Sequence, residues 1–95
     1  MDGQRQREVI SALDRSLRSA IVGDIAGLRQ GAATVRRLNQ LPVYEELPDI
    51  LERLADRLAK SDPLAANDVA SQLAFVLTGG PFEPLVDELI RSLNR

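Results

Sequence analysis

Three prolines set the frame of this chain. Pro48, Pro63 and Pro84 each stand at the front of a run in which apolar residues recur every three or four positions. Proline has no amide hydrogen to offer, the first turn of a helix needs none, and its φ is already helical. Each therefore marks a helix start. Together they divide the second half of the chain into three short amphipathic helices with little between them. Alanine and leucine supply much of the 44% hydrophobic content and aromatics only 3%, which favours helix over strand.

The first half reads the same way. Val9, Ile10, Leu13, Leu17 and Ile21 form one stripe and predict a helix over Gln4–Val22. Gly23 suits a left-handed stop and Asp24 a cap for the next helix. That second helix spans Ile25–Asn39, with Ile25, Leu28, Ala32, Val35 and Leu38 inward. The apolar phase passes Gly23 without a clear jump, so one continuous helix over Gln4–Asn39 is an alternative. It would be about 54 Å long, too long for a domain whose radius of gyration should be about 12 Å. Leu41-Pro42 ends the second helix, and a connector follows from Val43 to Leu47.

The third helix spans Pro48–Lys60, with Asp49→Arg53 and Asp56→Lys60 as favourable pairs four apart. Asp62 caps a fourth helix over Pro63–Thr78, which buries Leu64 or Ala65, Val69, Leu73, Val76 and Leu77. Nearly every face between Ala70 and Leu77 is small or apolar, which predicts that this is the central helix. Gly79-Gly80 stops it. A fifth helix begins between Pro81 and Pro84 and carries Phe82, Leu85, Val86, Leu89, Ile90 and Leu93 on a wide inner face. Its width serves either to close the core or to leave a strip for a partner. The expected fold is a single all-α domain over residues 1–95, a compact five-helix bundle with short antiparallel connections.

Composition narrows the chemistry. There is no cysteine and no histidine, hence no disulfide, no thiol catalysis and no structural zinc of the usual kind. No apolar run approaches 18 residues, so no membrane span is expected. Met1–Glu8 is polar and lacks a signal pattern, which reads as cytoplasmic. Eleven of twelve basic residues are arginine, a coding habit of GC-rich bacterial genomes. Residues 1–40 hold seven basic groups against four acidic, and residues 41–95 five against ten. Either the two halves attract across their rims, or a basic face addresses an acidic partner.

Candidate catalytic carboxylates fall in Glu45-Glu46, Asp49 with Glu52, and Asp87-Glu88. Asp49 and Glu52 share a solvent-facing side, and Asp87 and Glu88 lie within reach of Arg91. None has the apolar surroundings that raise a carboxylate toward a working pKa. No nucleophile–base pair, phosphate loop or metal-ligand spacing is present. The expectation is therefore a non-enzyme without cofactor or metal.

Two surface readings remain. Gly23, Gly27 and Gly31 recur four apart, as tight internal packing or as a groove for another helix of this chain or a second copy. The segment 24–40 has a helix-turn-helix flavour, with Arg29, Arg36 and Arg37 as phosphate contacts. Its spacing is poor, because a turn at Gly31 puts Arg37 where an aliphatic belongs and a turn at Gly27 puts only Ala33 there. The domain also lacks the basic field of nucleic-acid binders. Tyr44, beside Glu45 and Glu46 in the connector between Pro42 and Pro48, suits a protein contact or a lid on the bundle. The favoured function is a non-catalytic protein–protein interaction module: an adaptor, a regulator or an inhibitor of the immunity type, self-association included. Its contact residues would be Arg29, Arg36, Arg37, Tyr44, Glu45 and Glu46. The alternative is a nucleic-acid-binding regulator using residues 24–40.

Overall fold

A computed structural model describes residues 2–38 and 46–94, without the side chains of Asp2 and Arg5. Among the described residues the chain forms five helices: α1 (Asp2–Val22), α2 (Ile25–Leu38), α3 (Leu47–Ala59), α4 (Pro63–Val76) and α5 (Glu83–Leu93). The all-α five-helix bundle expected from the apolar spacing is the fold observed. The three prolines fall in the first turns of α3, α4 and α5. Helix α4 ends two residues earlier than its spacing suggests, in a turn over residues 77–79.

The stops and starts have local causes. Gly23 takes φ +78°, and the Gly23 and Asp24 amides donate back to Ala20 O at 3.2 Å and Ser19 O at 2.8 Å. These bonds use up two carbonyls that the end of a helix leaves bare. Asp24 then accepts from the Gly27 amide at 3.0 Å and caps α2. The break excludes the continuous 4–39 helix. The same device closes α3, where Ser61 holds φ +54°. There the Ser61 and Asp62 amides reach Leu58 O and Arg57 O, each at 3.1 Å. Asp62 Oδ1 accepts from the Ala65 amide at 3.1 Å and starts α4.

Each helix packs on the next, and α5 returns to α1, closing a ring; α1 also reaches α3. The Ser92 hydroxyl of α5 donates to Ile21 O at 3.4 Å across that closure. The radius of gyration is 12.3 Å. Leucines fill the centre: Leu13, Leu17, Leu28, Leu47, Leu51, Leu54, Leu73 and Leu89 are all fully buried. Burying such a side chain contributes about 1.5–3 kcal/mol before chain entropy is counted.

Two expectations about the core are corrected. Helix α4 is not central: its main neighbours are α3 and α5, and Leu64 on its outer side is 80% exposed. Helix α3 is the more enclosed: it packs on α2 and α4, touches α1, and buries Leu47, Pro48, Ile50, Leu51, Leu54 and Ala55. Within α1, Ile10 is 43% exposed, and Ala12, Ser16 and Ala20 are buried instead. Small residues win there because α2 comes close. A Cβ added at Gly31 would stand 3.0 Å from Ser16 Cβ, with Ser16 Oγ nearer still. One added at Gly27 would stand 2.7 Å from Ser19 Oγ and against the Asp24 carboxylate. The glycines thus serve internal packing between α1 and α2. Ser16 is buried without penalty because its hydroxyl donates to Ala12 O at 2.7 Å.

Candidate interaction surface

Two of the three arginines of α2 reach α3. Arg29 Nη1 lies 3.0 Å from Asp56 Oδ1. Arg36 Nη2 reaches Asp49 Oδ1 at 2.6 Å and Glu52 Oε2 at 2.9 Å. Hydrogen bonding to Asp49, and then the charge of Glu52, raise the Arg36 guanidinium above its ordinary value. All these groups are about half exposed, so the seam orients α2 on α3 more than it stabilises the fold. The pairs expected within α3, Asp49 with Arg53 and Asp56 with Lys60, give way to this cross-helix arrangement. On α5, Arg91 Nε donates to the Asp87 carbonyl at 3.5 Å, not to its carboxylate. The basic first half and acidic second half therefore meet inside the molecule, along α2 and α3.

That arrangement places the predicted site residues. Arg29 and Arg36 are engaged by carboxylates of the same chain. Arg37 is exposed in the last turn of α2. Tyr44 and Glu45 lie outside the described residues. Glu46 is exposed just ahead of α3, where its carbonyl accepts from the Ile50 amide at 3.0 Å. Residues 25–38 form one helix through Gly27 and Gly31, so the turn that a helix-turn-helix requires is formed at neither glycine.

The surface that sequence reasoning missed is on α4. Phe75 is 86% exposed and Leu64 80%. Their helix buries Ala66, Val69, Ala70 and Leu73 on the opposite side. Beside Phe75 runs an open groove of about 400 Å³ between α3 and α4, lined by Glu46, Ile50, Arg53, Ser71, Gln72 and Val76. The signal was present in the sequence. Leu64, Asp68, Ser71, Phe75 and Thr78 recur at four- and three-residue steps, a second stripe facing away from the buried one. An all-round apolar helix is ordinarily read as central, and that rule hid the open stripe.

A smaller dent of about 190 Å³ lies over the glycine seam, lined by Arg15, Ser19, Gln30 and Thr34 with Gly27 and Gly31. Several exposed hydroxyls are turned back to their own chain segments. Thr34, Ser71 and Thr78 each donate to the carbonyl four residues back, at 2.9, 3.0 and 2.6 Å. Among the described residues no helix is long and apolar enough to cross a membrane, and no group of three acidic side chains stands close enough to hold a metal ion. Comparison with protein-family models, with curated proteins and with solved structures gives no significant match.

Proposed function

We propose that this chain is a non-catalytic protein–protein interaction module whose contact surface is the α3–α4 face around Phe75. The observation that carries the reading is Phe75 itself. An aromatic side chain that is 86% exposed beside an apolar-floored groove is costly to leave in water and is the type of residue that anchors interfaces. The side-chain chemistry of the chain supports contact over turnover. Histidine and cysteine are absent from the sequence, and the carboxylates Asp49, Glu52 and Asp56 are committed to arginines. Glu46 keeps a place at the groove's rim; Arg29 and Arg36 are assigned to internal orientation. The proposal includes a cytoplasmic site of action in a bacterium, in keeping with the arginine-biased, cysteine-free composition.

The test is crosslinking from the groove. A photoreactive phenylalanine analogue placed at Gln72, which is exposed, should give a defined protein adduct in cells of origin, lost on adding Phe75→Ser. Absence of any adduct from position 72, with efficient adducts from an α2 position such as Arg37, would move the contact surface elsewhere.

A further inference from the structure

We infer that the groove beside Phe75 receives Leu64 of a second copy of this chain, in an antiparallel α4–α4 pairing about a two-fold axis. This rests on the reading of the α4 face as a contact surface and names what covers it.

Leu64 and Phe75 lie at equal distances from the point between Val69 and Ala70, and so do Asp68 and Ser71 inside them. A two-fold axis through that point therefore sets Leu64 of one copy against Phe75 of the other, and Asp68 against Ser71, each twice. The steps of four, three and four residues are those of helices that pair along their length. Leu64 and Phe75 are about 16 Å apart along the helix. One end of α4 thus carries a projecting side chain, and the other carries a groove floored by Ile50 and Val76. An antiparallel partner brings each projection to the other's groove.

Charge agrees with the same register. The outer side of α4 holds one charged residue, Asp68, and no basic one. Arg53 lines the groove next to Ser71 and makes no ion pair with a described residue. The carboxylate that the register places opposite Ser71 is Asp68 of the second copy, which also has no ion pair with a described residue. Two intermolecular Asp68–Arg53 contacts follow. The outer sides of the other helices carry mixed charges, among them Asp14 and Arg18 on α1, and Asp87, Glu88 and Arg91 on α5. A single 14-residue helix face with one flank is small beside the roughly 1,600 Å² of a standard interface. The dimer is therefore weak and concentration-dependent.

The test joins mass to register. Light scattering over a concentration series should show the 10.4 kDa chain rising toward twice its mass. Phe75→Arg and Leu64→Arg, both at exposed positions and so expected to fold as the parent does, should each weaken association at least about tenfold. The chain has no cysteine, so introduced thiols report register cleanly. Oxidation of a mixture of Leu64→Cys and Phe75→Cys proteins should yield the mixed disulfide well ahead of either homodimer. A monomer throughout the series overturns the pairing, as does a dimer indifferent to both arginine variants or one linked fastest through 64–64. A monomer that still gives the Gln72 adduct with a different protein leaves the contact-surface reading standing. A monomer without that adduct removes both.

Discussion

Gly31 has room for a hydrogen atom and little more. An alanine there must displace Ser16, whose Cα lies 3.4 Å from the added carbon and whose hydroxyl is tied to Ala12. Helix propensity favours Gly→Ala by about 1 kcal/mol, but overpacking costs about 1–3 kcal/mol, and the contact involves backbone as well as side chain. Gly31→Ala should therefore lower thermal stability, and Ser16→Gly in the same chain should recover part of the loss. Calorimetry on the three variants checks this; a gain from Gly31→Ala alone would mean that α1 and α2 are further apart than described. Ser61 is the reverse case. It occupies a left-handed conformation at φ +54° that costs a non-glycine residue about 1 kcal/mol, so Ser61→Gly should raise the midpoint of denaturant unfolding by a corresponding amount.

The helices show which parts of the structure were legible in sequence. Prolines, glycines and capping aspartates act within a turn or two, so they report helix ends directly, and Gly23-Asp24 and Asp62-Pro63 mark the breaks as their positions predict. Asp62→Ala should cost about 1 kcal/mol through the lost bond to the Ala65 amide, measurable as a shift in unfolding midpoint. What depends on neighbours was less legible. Asp49 and Asp56 have basic residues four positions on, yet α2 supplies Arg36 and Arg29 from outside the helix, and spacing along one helix cannot rank such competitors. The close approach of α1 and α2 left a trace on both partners, Ala12, Ser16, Ser19 and Ala20 on one and the spaced glycines on the other. Of the two, only the spaced glycines stand out as a pattern in sequence. The outward stripe of α4 escaped because a helix apolar on two sides does not announce which side the core takes.

At the scale of the whole molecule, a ring of five helices encloses one continuous core from Val9 to Leu89. A chain of this size buries only about 60–65% of its unfolded surface, so single truncations weigh heavily. Leu54→Ala, at a fully buried position, should cost about 2–5 kcal/mol and shift one cooperative transition. The same frame holds Leu64 and Phe75 in fixed relation on its surface, and the account of function rests on that face. Amide chemical shifts followed from tens of micromolar to about 1 millimolar protein, the range of weak interfaces, test it most directly. The account predicts concentration-dependent shifts gathered on residues 46–53 and 64–78 and abolished by Phe75→Arg. Spectra that do not change with concentration would contradict the α4–α4 pairing, and changes gathered on α1 and α2 would contradict the choice of face.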